Sequence, residues 1–164
     1  MIFVTVGTHE QQFDRLVQHI DDMVKNGLIK EKVVIQSGYT TYKAQYCESH
    51  RLLRNDIMNK HVKEANLVIT HGGPGSIMLA LQYNKTPIVV PRQVDFNEHV
   101  DNHQVLFTKR LENAKKVLAV YDIDSLTKSI LNYDAAIKNL DSIYISNTDN
   151  FVGRFESELN NLIT

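Results

Sequence analysis

The chain has 164 residues, 43% of them apolar, which suits one packed domain and is roughly half the length that two closing α/β domains need. Eighteen basic and nineteen acidic residues give a net charge of −1, so the composition does not favour a nucleic-acid-binding protein. The single cysteine, Cys47, excludes an internal disulfide and fits a reducing compartment. No apolar run approaches the ~18 residues of a membrane-spanning helix. We therefore expect one cytoplasmic domain over residues 1–164.

Short apolar runs that alternate with helically spaced apolar residues predict strands that alternate with helices. The predicted strands are 2–6, 32–36, 67–70, 87–90 and 116–120. The predicted helices are 13–24, 57–65, 76–83, 98–111 and 125–133, with a C-terminal amphipathic helix at about 148–163. Residues 39–50 show no clean period and are predicted to be a loop. The alternation is typical of an α/β, Rossmann-like, mostly parallel sheet with helices on both faces.

In such sheets, ligands bind beyond the carboxyl ends of the strands, so the loops that follow strands are the first places to look for a site. The first of these loops is Gly7-Thr8-His9. Glycine allows the backbone to approach a ligand closely, and Thr8 offers a hydroxyl group. The same residues also suit an ordinary strand-to-helix turn, and the sequence leaves both interpretations open.

The second loop is rich in glycine and precedes a predicted helix. Its residues are His71, Gly72, Gly73, Pro74, Gly75 and Ser76. Backbone N–H groups at a helix N-terminus favour a phosphate or diphosphate, and Ser76 can either cap the helix or bind that phosphate. A sharp structural turn is the alternative. The loop lacks the lysine of a P-loop, and Met78 stands where G-x-G-x-x-G needs its third glycine, so a nicotinamide enzyme is not favoured.

The third loop follows strand 87–90 and is unusually polar. Its donors and acceptors suit sugar hydroxyls and come from Glu98, His99, Asn102 and Gln104. A solvated helix start capped by Asn97 is one alternative. A metal site at His99 and His103 is another, but it is not favoured because H-E-x-x-H is absent. We expect neither a metal nor a cofactor.

Residues 43–63 carry several basic side chains without a recognisable motif. Such a run most often forms a solvated face, although it also suits contact with phosphates or with an acidic partner. The sequence does not choose between these interpretations.

Four blocks of residues together resemble the C-terminal, donor-binding half of the family 28 glycosyltransferases. They are the segment from Ile2 to Thr8, Gln36-Ser37-Gly38, the segment from Ala65 to Ser76, and the segment from Pro87 to Gln104. Within this family, the sequence resembles the small bacterial capsule and exopolysaccharide glycosyltransferase subunits. It is also similar to the eukaryotic subunit that helps to add the second GlcNAc to dolichol-linked sugar. The resemblance covers most of the chain as far as about Val120.

The resemblance implies one half of a GT-B architecture that is divided between two chains. This chain would be the donor-binding subunit of an inverting enzyme that transfers a hexose from a UDP-sugar to a lipid-linked acceptor. A membrane-anchored, acceptor-side subunit would hold it at the inner face of the membrane during capsule or exopolysaccharide synthesis. The alternatives are a non-catalytic subunit that stabilises a partner transferase, and a free-standing enzyme that acts on another phosphorylated metabolite.

The resemblance also assigns roles to individual residues. Gly7 and Thr8 would face the diphosphate, and residues 71–76 would place a helix N-terminus against the phosphates. Glu98 and His99 would contact donor-sugar hydroxyls, with Asn102 one turn later. Leu79 departs from the family, which usually has a ribose-binding glutamate at that position. The catalytic base stays unknown: we expect it from the partner, with His9 as the fallback.

Overall fold

The computed structural model describes residues 1–138 and residue 140. The C-terminal helix predicted at about 148–163 lies outside these residues. Within the described part of the chain, no helix combines the length and the apolarity that a membrane crossing requires.

The described residues form a parallel α/β sheet with helices between the strands. The strands are β1 (Ile2–Thr5), β2 (Val33–Gln36), β3 (Glu48–His50), β4 (Leu67–His71), β5 (Ile88–Val90) and β6 (Leu118–Ala119). The helices are α1 (Asp14–Lys25), α2 (Asn55–Glu64), α3 (Pro74–Gln82), α4 (His103–Asn113), α5 (Leu126–Leu131) and α6 (Tyr133–Ile137). All neighbouring strands pair in parallel, in the order β3-β2-β1-β4-β5-β6. The predicted α/β, Rossmann-like class is confirmed.

The sheet buries both of its faces because successive side chains of each strand point to opposite sides. Ile2 and Val4 pack with α1 and α5 on one side, whereas Phe3 packs with α2 and α3 on the other. On that second side, Val89 of β5 contacts a further cluster that includes residues of α3 and α4. This two-sided burial explains why the central strands read as continuous apolar runs.

The chain reverses its direction of winding between β1 and β4, which are neighbours at the centre of the sheet. Such a switch point leaves a crevice at the carboxyl ends of the two strands. The loop after β1 begins at Val6, and the loop after β4 begins at Gly72. The first two sequence-predicted loops therefore meet at this crevice.

The prediction that residues 39–50 form a loop throughout is wrong at its end, where β3 pairs with β2. β3 is a polar edge strand, so it lacks the apolar pattern by which strands are recognised. The turn before it is held by Asp21, whose carboxylate accepts hydrogen bonds from the amides of Gln45, Tyr46 and Cys47. Burial alone would raise the pKa of Asp21, but these bonds hold it below its ordinary value.

The predicted start of the fourth helix at Glu98 is also wrong, since α4 begins at His103. A 3₁₀ turn at Val94–Phe96 precedes it and ends at Asn97, whose φ of 55° breaks the helical path. Asn97 is therefore not the cap of α4. Ser76 is not a cap either, because α3 begins two residues earlier, at Pro74, with Gly73 at its N-cap.

Candidate functional site

A cavity of about 270 Å³ lies at the crevice between β1 and β4. Of the residues proposed to bind the donor, it is lined by Gly7, Thr8, His71, Gly73, Pro74, Gly75 and Ser76. Gln36 at the end of β2 and Asn55 at the start of α2 add polar groups to the wall. The structure thus brings the first and second loops together, whereas Gly72, Glu98, His99 and Asn102 do not line this cavity.

The N-terminus of α3 supplies free backbone donors to this cavity. Pro74 has no N–H group, and the amide of Ile77 already donates to the Gly73 carbonyl at 3.2 Å. The amides of Gly75 and Ser76 have no hydrogen-bond partner within the described residues. No side chain caps the helix, and no acidic residue lies in its first turn. The helix therefore presents two unpaired amides and the positive end of its dipole, which together favour an anion.

The ring of His71 is held between two glycines. A Cβ atom on Gly73 would lie 2.2 Å from Nε2 of His71, and a Cβ atom on Gly7 would lie 2.6 Å from the same atom. Glycine at both positions is thus required for the ring to occupy this place. Burial, together with the positive charge of Arg92, lowers the pKa of His71 to about 4. The imidazole is therefore neutral near pH 7, and the positive potential of the cavity comes from the backbone.

This packing predicts different effects of alanine at two glycines that both have positive φ. Gly7 has φ 78° and touches His71, whereas Gly27 has φ 71° and has nothing within 4 Å of a built Cβ. We expect Gly7→Ala to lower the free energy of unfolding by about 3 kcal/mol and Gly27→Ala by about 1 kcal/mol, because only the first adds a clash to the backbone strain. Urea denaturation measures both, and equal losses would show that the His71 contact carries no cost.

Arg92 joins the loop after β1 to the loop after β5, and its side chain is fully buried. One terminal nitrogen donates to the carbonyls of Gln11, Gln12 and Glu98 at 2.9–3.0 Å, and the other donates to the carbonyl of Val6 at 2.9 Å. Burial lowers the pKa of Arg92 to about 10, so the guanidinium stays charged near pH 7. It fixes the backbone on either side of Gly7 and Thr8, and it is not among the site residues predicted from the sequence.

Glu98 faces inward rather than into the cavity. Its carboxylate accepts two hydrogen bonds from Arg15, at 2.6 and 3.0 Å, and one from the amide of Gln93 at 3.1 Å. Its side chain is only 1% exposed, and burial raises its pKa even though Arg15 opposes the rise. With both oxygens engaged in this way, Glu98 serves as an anchor of the third loop. A contact between Glu98 and a donor sugar would require these bonds to break.

The remaining residues of the third loop form a cluster beside the first loop. The rings of His9 and His99 lie 4.4 Å apart, and His99 also meets the edge of His103 at 4.5 Å. Asn102 accepts a hydrogen bond from the amide of Val94 at 3.2 Å.

Gly72 of the second loop packs tightly on α4, where a Cβ atom on Gly72 would lie 2.8 Å from the Cβ atom of Gln104. The roles predicted for His9, His99, Asn102 and Gly72 toward the donor stay predictions.

Leu79 departs from the family pattern at a position on α3, one turn after Ser76. It packs against the apolar cluster that contains Phe3 and Val68. No carboxylate is among the described residues that line the cavity. A ribose ring in this site would therefore rely on other polar groups of the lining, which include the side chains of Thr8, Asn55 and Ser76.

Residues 1–156 match the glycosyltransferase family 28 C-terminal domain. Two relatives are described as "UDP-N-acetylglucosamine transferase subunit ALG13". The one from Yarrowia lipolytica is 30% identical over 111 residues, covering 56% of this chain and 53% of the relative. The one from Candida albicans is 34% identical over 108 residues, covering 65% of this chain and 30% of the relative. The chain thus spans about half of the first relative and under a third of the second.

Solved structures of glycosyltransferases share the fold. The calicheamicin glycosyltransferase CalG4 superposes on 99% of this chain and 44% of its own, with a TM-score of 0.66 and 12% identity. The glycotransferase of kitacinnamycin covers 83% of this chain and 35% of its own, with a TM-score of 0.61 and 16% identity. These neighbours have the GT-B architecture, and the chain corresponds to less than half of each.

Proposed function

Because the chain belongs to the glycosyltransferase family 28 C-terminal domain family, we propose that it is the donor-binding subunit of a two-component, inverting glycosyltransferase. It binds a UDP-sugar and passes the hexose to a lipid-linked acceptor in capsule or exopolysaccharide synthesis. A membrane-anchored partner supplies the acceptor side. The relatives named as subunits of a UDP-N-acetylglucosamine transferase support both the nucleotide and the divided architecture.

The observation that carries the proposal is the pair of unpaired amides, Gly75 and Ser76, at the start of α3. When the sugar leaves its nucleotide, the bond between its anomeric carbon and the diphosphate oxygen breaks, and negative charge grows on the departing UDP. Fixed backbone donors and a helix dipole stabilise this charge without reorganising. His71 stays neutral beside them and adds no charge of its own.

In the same step, the acceptor hydroxyl attacks the anomeric carbon from the opposite face and loses its proton to a general base. The described residues that line the cavity include no carboxylate, and their histidine, His71, is packed between glycines. His9, the fallback base, accepts a hydrogen bond from the amide of Gln11 through Nδ1 at 3.2 Å, so its Nε2 carries the proton in this arrangement. We therefore assign the base to the partner.

Because the general base is assigned to the partner, we expect the purified chain to transfer little sugar on its own. We expect a rise of about a hundredfold or more in turnover of a labelled UDP-hexose when the chain is co-expressed with a membrane-anchored, acceptor-side partner subunit, because that partner supplies the general base. The same complex built with Gly75→Asp is the control and should lose transfer. Rapid transfer by the chain alone to a lipid-linked acceptor would contradict the proposal.

A non-catalytic role is the second candidate, and Leu79 favours it. Leu79 is half-buried and packs against the core, and no carboxylate among the described residues that line the cavity replaces the family's glutamate. A subunit that only stabilises its partner has no need to bind nucleotide. It would therefore show no saturable UDP binding, and it would support transfer equally well with Gly75→Asp.

A further inference from the structure

Three side chains at the start of α4 bring metal-binding atoms together. They belong to His99, Asp101 and His103, and one ligand atom from each lies within 4.8 Å of the other two. Nδ1 of His99 is 3.4 Å from Oδ1 of Asp101, and Nδ1 of His103 contacts that same oxygen. Two ligands of a tetrahedral zinc ion, each about 2.1 Å from the metal, are about 3.4 Å apart. The two imidazoles and the carboxylate are therefore close to the spacing that such an ion requires.

These residues converge through a turn rather than along a helix. α4 begins at His103, so His99 lies outside the helix. The carboxylate of Asp101 accepts a hydrogen bond from the amide of His103 at 3.0 Å, and the amide of Asp101 donates to Nδ1 of His99 at 3.3 Å. The H-E-x-x-H motif instead places its two histidines on one face of a helix. The absence of that motif therefore does not exclude a metal site of this kind.

The ring of His99 is held in place before any ion arrives. Its side chain is 7% exposed, and its ring contacts those of His9 and His103, at 4.4 and 4.5 Å between ring centres. A ligand that is already ordered loses little conformational entropy on binding. Asp101 and His103 are each about half-exposed, so an ion reaches the three side chains from solvent without any opening of the structure.

The protonation states near pH 7 also suit a metal. Burial, followed by the charges of His9 and His103, lowers the pKa of His99, so its imidazole is neutral and has a lone pair to offer. Hydrogen bonds from the amide and the ring of His103 hold the pKa of Asp101 below its ordinary value, so this side chain is a carboxylate. Two imidazoles and one carboxylate suit zinc and similar transition metals, whereas magnesium and calcium prefer oxygen ligands alone.

We propose that His99, Asp101 and His103 form a site for a divalent transition metal, with zinc as the ion that the ligand set fits best. Three protein ligands leave a fourth position open to water or to an oxygen atom of another molecule. The site lies beside the first loop, because the His99 ring contacts His9, which follows Thr8 of the donor cavity. The proposal departs from the sequence-based expectation that the chain binds no metal, and it does not depend on the proposed function.

The test is a calorimetric titration of the whole chain with zinc chloride. The chain is stripped with a chelator and carries no polyhistidine tag, because such a tag binds the same ions. We expect saturable binding of one zinc ion per chain and no saturable binding of magnesium. Asp101→Asn and His103→Gln should each weaken zinc binding by about tenfold or more, since even changes behind a metal ligand typically cost that much. Zinc should also raise the melting temperature of the wild type by more than that of either variant.

Two comparisons separate a metal site from a structural turn. His50→Gln is the matched control, because the partly exposed His50 also meets a carboxylate, that of Glu48, but lies on β3. It should leave zinc binding unchanged. In Asp101→Asn, the new side chain can still accept the hydrogen bond from the His103 amide, so the turn is kept while the ion loses a charged ligand. An equal loss in His50→Gln, or wild-type zinc affinity in Asp101→Asn, would overturn the proposal. Several weakly bound ions per chain in every variant would show an adventitious ion only, and would overturn it as well.

Titrations with UDP keep this proposal apart from the proposed function. Neither Asp101 nor His103 lines the donor cavity, so Asp101→Asn should keep its UDP affinity. Gly75→Asp should in turn keep its zinc affinity, because Gly75 is not among the metal ligands. Loss of zinc binding in Gly75→Asp would show that the ion binds elsewhere and would contradict the assignment, whatever the outcome of the UDP titration.

Discussion

Gly75→Asp is expected to weaken UDP binding by at least about a hundredfold, because it places a carboxylate where the diphosphate meets the helix N-terminus. A Cβ atom at this position has nothing within 4 Å, so the side chain fits without displacing any neighbour. An acidic residue in the first turn of a helix also interacts favourably with the dipole. The melting temperature should therefore stay unchanged or rise slightly while UDP binding is lost.

Gly75→Asn is the matched control, because it adds the same volume without the charge. We expect only a modest loss of UDP affinity in this variant, measured by the same calorimetric titration. If Asp and Asn weakened binding equally, bulk rather than charge would explain the effect. If Asp left the affinity unchanged, the phosphate assignment of α3 would be wrong.

Arg92→Met should produce the largest loss of stability of any substitution discussed, about 4 kcal/mol in the free energy of unfolding. The variant keeps an apolar stem of similar length but leaves the carbonyls of Val6, Gln11, Gln12 and Glu98 without their donor. Buried acceptors that lose a charged partner are costly, since water does not replace it. Urea denaturation measures the loss.

Two further variants serve as controls for the stability loss of Arg92→Met. Arg110→Met removes an exposed arginine and should cost under about 0.5 kcal/mol. Arg92→Lys keeps the charge but has fewer donors and lacks the fork geometry of arginine, so it should fall between the wild type and Arg92→Met. A loss of less than about 1 kcal/mol in Arg92→Met would show that the two loops are held together by other contacts.

The fold could be predicted from the sequence because the central strands carry its strongest signal. Ile2–Thr5 and Leu67–His71 are buried on both faces, so they are apolar or β-branched through nearly their whole length and end at glycine-containing loops. The same two loops define the cavity, since parallel strands bring their carboxyl ends to one edge. What the sequence could not supply was the edge strand β3, whose residues are polar and half-exposed or exposed.

The inner supports of the site were missed for a related reason. Arg15 and Glu98 are 83 positions apart in the chain, and both are residue types that normally face water. Glu98 therefore suggested a contact with ligand, although it is paired inside the protein. The sequence did carry one signal that Arg92 is buried. Arg92 lies two residues after the buried strand β5 and just before a turn, where a long cationic side chain has no short path to solvent.

The central claim is that this chain itself binds the nucleotide of the donor through the start of α3. Calorimetric titration of the purified wild-type chain with UDP tests it most directly, with ADP as the competing nucleotide. We predict saturable binding of one UDP per chain, a preference for UDP over ADP, and loss of the heat signal in Gly75→Asp. The absence of saturable binding by the folded chain would contradict the claim and favour the non-catalytic subunit.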